Sequence, residues 1–118
     1  MKLLTKDQLD RLIENGKKQR EAEQEGRCID FPPVVKLFTP DAAATWLLTE
    51  IDPDEPDFAF GLCDLGLGFP ELGNVSLAEL AEVRGVLGLP VERDLSFKAS
   101  KPLSVYADEA RKAQRITV

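Results

Sequence analysis

The fold of this chain is decided by residues 45–65, TWLLTEIDPDEPDFAFGLCDL. Two apolar runs, 45–51 and 58–65, are rich in β-branched, aromatic and aliphatic side chains, a composition typical of strands. A six-residue polar connection, 52–57, contains two prolines and separates the runs. Because short connections of this kind join antiparallel neighbours, we expect these runs to form a hairpin.

Outside the hairpin, the sequence predicts further short strands and helices. The pairs Thr5/Gln8 and Ser76/Glu79 have the spacing of capping boxes, which begin helices. Strands are predicted at 34–38, 72–75 and 91–98, and helices after Thr5, from 77 to 87 and from 102 to 110. We therefore expect one α+β domain over residues 1–118, with a small, mostly antiparallel sheet packed with about three helices.

The N-terminal helix is predicted within residues 1–27. Its apolar stripe is narrow and ends at Ile13, and Ala22 is the only non-polar residue between 17 and 25. We expect the first half of the helix to dock and the second half to project or fray. Gly16 weakens a helix by about 1 kcal/mol relative to alanine, which predicts a bend or an early end there.

Composition excludes several classes of function. The chain of 118 residues has no histidine, so it holds no histidine base and no histidine-ligated metal. Its two cysteines, Cys28 and Cys63, are too few for a four-thiolate zinc site or a disulfide framework. No apolar run approaches the ~18 residues of a membrane span, and the start lacks a secretory signal. We expect a cytoplasmic protein with reduced thiols.

Charge is distributed unevenly along the chain. Residues 28–82 contain one basic side chain, Lys36, against eleven acidic ones, although the net charge of the whole chain is only -6. The acidic side chains are densest in five carboxylates around the hairpin connection: Glu50, Asp52, Asp54, Glu55 and Asp57.

Three interpretations of these carboxylates stay open. They form a solvated loop, a divalent-cation site, or a surface that docks a basic partner and in one version imitates nucleic acid. An acidic middle repels phosphate backbones, which disfavours direct DNA binding. Such binding would have to use the basic residues near the C-terminus: Arg111, Lys112 and Arg115.

A glycine-rich segment follows the second hairpin strand. Gly66 and Gly68, with Phe69 and Pro70 after them, make a weak match to a phosphate-binding loop, because the rest of such a motif is absent. The structural interpretation is a wide connection between strands, with Phe69 and Leu72 tucked beneath it.

The alternative interpretation of this region is a metal site. If Asp64, Glu71 and Glu50 converge at one end of the sheet, they would hold Mg²⁺ or Mn²⁺ and activate water for phosphodiester hydrolysis. A nuclease of this kind also needs a lysine or arginine near the attacked phosphate, which would be Lys36 or Arg93. The spacing of these residues does not by itself establish their convergence.

Several separated motifs resemble one bacterial family of unknown function. They are PVVKLFTP (33–40), TWLLTE (45–50), FGLCDLG (60–66), FPELG (69–73) and GLPVERD (88–94), together with the closing helix from 102 to 110. The resemblance implies a setting on plasmids and integrative conjugative elements. Some members carry an automatic label as single-stranded DNA endonucleases, and no agreed catalytic residues come with the family.

The leading hypothesis is a small acidic accessory protein that binds a macromolecular partner with a basic surface and has no catalysis or cofactor of its own. The alternative is a Mg²⁺- or Mn²⁺-dependent nuclease that acts on single-stranded DNA. The oligomeric state is left open by the sequence.

Overall fold

The computed structural model describes residues 3–118, so Met1 and Lys2 of the predicted N-terminal segment lie outside the described residues. The elements are α1 Lys6–Gln24, β1 Val35–Phe38, β2 Thr45–Ile51, β3 Phe58–Asp64, β4 Glu71–Ser76, α2 Leu77–Glu82, β5 Glu92–Arg93 and α3 Leu103–Ala113. No helix within the described residues combines the length and apolar character that crossing a membrane requires.

All five strands form one antiparallel sheet in the order β4-β3-β2-β1-β5. The predicted hairpin is confirmed, with Trp46 of β2 opposite Cys63 of β3. A register shift between Leu48 and Glu50 interrupts this pairing. The predicted α+β class, with an antiparallel sheet and three helices, is confirmed.

Helices cover both faces of the sheet. Because successive side chains on a strand alternate between the faces, each face packs on its helices with a different set of residues. On one face, Leu12 of α1 and Leu80 of α2 pack with strand residues such as Leu48. On the other face, α3 packs through its buried residues on Leu47 and Leu62. The sheet is therefore the middle layer, and β4 forms one of its edges.

α1 begins as predicted, with a capping box between Thr5 and Gln8. It neither bends nor ends at Gly16, because that glycine lies against β2: a Cβ there would be 1.7 Å from the carbonyl oxygen of Ile51. The expectation that the second half projects also differs from the structure, since Gln19 and Ala22 are buried. The missing side chain at residue 16 lets α1 approach the backbone of β2 closely at Ile51.

Two predicted elements are shorter than expected. α2 ends at Glu82, and Leu87 is 78% exposed in a loop whose N–H groups donate to Asp41. The strand predicted at 91–98 is limited to β5, because Asp94 accepts from the Ser96 N–H and turns the chain. Leu95, on the predicted apolar face of that strand, is consequently 82% exposed.

Candidate functional site

The acidic connection between β2 and β3 is tied to α1. The side chain of Arg20 donates to Asp54 at 2.7 Å and to Asp52 at 3.5 Å. Asp52 also accepts from the backbone N–H of Asp54 at 2.8 Å. Hydrogen bonding and charge from Arg20 hold the pKa of Asp54 below its ordinary value. Two of the predicted binding carboxylates are thus fixed in place, and one basic side chain partly offsets them.

Asp57, at the end of the same connection, caps α2. Its carboxylate accepts from the hydroxyl of Ser76 and from the backbone N–H of Ala78, and these bonds lower its pKa. A carboxylate at a helix N-terminus is stabilised by the helix dipole. The side chain of Glu55, in contrast, is exposed, and its carboxylate makes no hydrogen bond or ion pair with any residue in 3–118, although its backbone bonds to Asp52 and Phe58. The predicted surface therefore combines structural carboxylates with one unengaged carboxylate.

Glu50 differs from the other acidic residues because it is half-buried. Its Oε1 accepts from the Thr49 hydroxyl at 3.1 Å and from the Gln19 amide at 3.4 Å. Burial raises the pKa of the Glu50 carboxyl, although both hydrogen bonds act in the opposite direction. It lines a cleft of ≈220 Å³ between α1 and the sheet, together with Phe60 and Asn74.

The three carboxylates proposed as metal ligands are not brought together. Asp64 and Glu50 lie on the same face of the sheet, but not side by side. Glu50 is opposite Phe60, and Phe60 precedes Asp64 by four residues on β3, so the positions of Glu50 and Asp64 are separated by about 13 Å along the strand direction. Glu71 is opposite Cys63 and therefore points to the other face. Within residues 3–118, no three His, Cys, Asp or Glu side chains form a group suited to a metal ion.

Asp64 has a structural role. Its 3%-exposed carboxylate accepts from the backbone N–H groups of Gly66 at 2.8 Å and Ile116 at 2.9 Å. Lys36, one of the two cationic residues predicted near the phosphate, lines a cleft together with Asp64, but its ammonium group pairs with Asp94 at 3.2 Å. Arg93, the other cationic residue predicted there, is half-buried in β5.

The glycine-rich connection between β3 and β4 uses positive φ angles at Gly66 (80°) and Gly68 (87°). These angles suit glycine, which lacks a Cβ. Pro70 is buried, whereas Phe69 is 77% exposed, so the expectation that it lies tucked beneath the loop is wrong. Its neighbour Leu67 is also largely exposed. The loop presents apolar side chains to solvent instead of a phosphate cradle.

Comparison with known proteins identifies a family. The family model described as "Protein of unknown function (DUF2958)" matches residues 3–117, nearly the whole chain. No curated protein and no solved structure gives a significant match. The chain belongs to this family of proteins of unknown function, DUF2958.

Proposed function

We propose that this protein is a cytoplasmic accessory protein of bacterial mobile elements that acts by binding a protein partner with a basic surface. The observation that carries the proposal is the arrangement of carboxylates 50–57. Hydrogen bonds from Arg20 and from backbone N–H groups fix the carboxylates of Asp52, Asp54 and Asp57 in place along one connection. Only one basic residue, Arg20, forms an ion pair with this connection within residues 3–118.

A fixed arrangement of like charges favours recognition of a complementary surface. Electrostatic complementarity accelerates association and rejects partners of the wrong sign. Because the carboxylates of Asp52, Asp54 and Asp57 are already positioned by hydrogen bonds, little ordering of these three side chains has to accompany binding. In one version of this function, the row of negative charges imitates a nucleic-acid backbone and occupies the DNA site of its partner. The mobile-element setting is supported by the family resemblance alone.

Capture of partners from a bacterial lysate tests the charge dependence. We expect Asp54→Asn/Glu55→Gln to lose at least tenfold in capture, and the matched variant Glu14→Gln/Glu21→Gln on exposed positions of α1 to capture as the wild type does. Binding should also weaken steeply above ~0.15 M salt, where the screening length falls to about 8 Å. Capture that is indifferent to both salt and the acidic pair would contradict the proposal. Displacement by duplex DNA would favour the nucleic-acid imitation.

The alternative function is a metal-dependent nuclease that uses Asp64, Glu71 and Glu50. The separation of these carboxylates argues against it, as does the use of Asp64 as a backbone acceptor. Incubation of the pure protein with single-stranded DNA and Mg²⁺ or Mn²⁺ tests it directly. Cleavage that disappears in both Asp64→Asn and Glu50→Gln, with folding retained, would establish the nuclease and overturn the binding proposal.

A further inference from the structure

A line of three side chains crosses the sheet towards its open edge. Glu50 of β2 is opposite Phe60 of β3, which is opposite Asn74 of β4, and directly opposed residues share a face. α3 covers the neighbouring row, where it packs on Leu47 and Leu62. The line itself stays accessible, since Glu50 and Phe60 are half-buried and Asn74 is exposed.

Two clefts meet at this line, and both are lined by Gln19, Glu50 and Phe60. The first, of ≈220 Å³, lies towards α1, and the second, of ≈330 Å³, lies towards the start of α3. We call the two clefts together the Glu50 groove. Apolar side chains line much of the second cleft: Ile29, Phe31, Phe60, Leu72 and Leu103.

The charge of the groove is negative. Its acidic lining residues are Glu23, Asp30, Glu50 and Asp52. Among residues 3–118, the only basic residue that lines either cleft is Arg20, whose guanidinium is already paired with Asp52 and Asp54. An apolar surface combined with unbalanced negative charge complements a side chain that has an apolar stem and a cationic head.

Glu50 has capacity for a further hydrogen-bond donor. Both of its described hydrogen bonds reach Oε1, and Oε2 receives none from residues 3–118. An ionised carboxylate offers about four acceptor positions on its two oxygens. The partial burial of this group also disfavours its ionised form, so a bound cation would relieve a cost that the free protein carries.

We propose that the Glu50 groove receives an arginine side chain of the protein partner, with its stem and guanidinium plane on Phe60 and its charged head on Glu50. This inference rests on the proposed function and specifies one contact within it. Guanidinium groups stack on aromatic rings and form charge-assisted hydrogen bonds to carboxylates. Arginine suits the site better than lysine, because guanidinium is planar and more weakly hydrated than ammonium.

Titration of the ¹⁵N-labelled protein with Nα-acetyl-arginine amide, followed by NMR, tests the site. We expect shifts at Gln19, Glu50, Phe60 and Asn74, and none with Nα-acetyl-citrulline amide, a neutral probe of similar shape. Glu50→Gln should weaken binding at least fivefold, whereas the control Glu55→Gln should leave it unchanged. Equal binding by the citrulline probe, unchanged binding by Glu50→Gln, or shifts confined to the exposed connection would overturn the inference.

A second variant keeps the inference testable if Glu50→Gln fails to fold. Phe60→Leu retains an apolar side chain but removes the aromatic face, and we expect it to weaken the arginine probe about threefold. The two proposals also fail separately. Capture that depends on Asp54 and Glu55, without binding of the arginine probe, would refute only the proposal that the Glu50 groove receives an arginine. Binding of the probe at Glu50, with charge-independent capture, would refute only the docking function.

Discussion

Gly16→Ala tests how closely α1 approaches the sheet. A Cβ added to Gly16 would lie 1.7 Å from the carbonyl oxygen of Ile51 and 2.9 Å from its carbonyl carbon. Both atoms belong to the backbone of β2, so no side-chain rotation relieves the contact. The helix and the strand would have to separate by well over ~1 Å to restore an ordinary contact distance.

Two effects of opposite sign determine the result. Alanine in a helix interior is ordinarily more favourable than glycine by about 1 kcal/mol. Overpacking a well-packed interface costs about 1–3 kcal/mol and occasionally more. Because the obstacle at Gly16 is backbone, we place this cost at the upper end. The expected net loss is about 2 kcal/mol of unfolding free energy, which lowers Tm by roughly 6–12 °C for a domain of this size.

Urea unfolding, followed by circular dichroism, measures this change. The matched control is Gly73→Ala on β4, where an added Cβ meets no atom within 4 Å and φ is not positive. We expect the control to be neutral or stabilising. A Gly16→Ala protein as stable as the wild type, or more stable, would refute the close approach of α1 to β2. The helix propensity of alanine would then determine the effect of the substitution.

Three further predictions concern titratable side chains. Asp57→Ala should destabilise the protein at neutral pH by removing the acceptor for the Ala78 N–H. Because the pKa of Asp57 is lowered on folding, the difference in unfolding free energy between wild type and variant should vanish as pH falls through that pKa. Glu50→Gln should stabilise the free protein near pH 7, since burial raises the pKa of Glu50. As pH falls through the raised pKa, the unfolding free energy of the wild type should rise to that of Glu50→Gln. Urea unfolding at a series of pH values measures the stability changes of both the Asp57 and the Glu50 variants. Iodoacetamide at pH 8 should alkylate exposed Cys28 at least tenfold faster than Cys63, whose pKa burial raises to about 11; equal rates in peptide mass mapping would contradict the burial of Cys63.

Local signals in the sequence predicted the hairpin well. The predicted strands 45–51 and 58–65 agree with β2 and β3 to within one residue. The prediction was wrong at Leu87 and Leu95, which fit the apolar periodicity of a helix and of a strand but are exposed. Periodicity gives the face on which a residue would be buried, but not whether another element is present to cover that face.

The candidate site was predicted only in part. Glu50 was singled out from the sequence because of its charge, whereas Gln19, Phe60 and Asn74 were missed. These residues come from α1, β3 and β4, and no short-range pattern connects them. The register of the sheet places Phe60 and Asn74 beside Glu50, and the packing of α1 adds Gln19.

The sequence by itself determined the hairpin of strands 45–51 and 58–65, where the helices capped by Thr5 and Ser76 begin, and that histidine chemistry is absent. The tertiary structure alone decided what each carboxylate does. Asp30, Asp57 and Asp64 accept from backbone N–H groups 74, 21 and 52 residues away, respectively. Composition records the charge of a carboxylate, but its availability depends on which distant donors the fold brings within hydrogen-bonding distance.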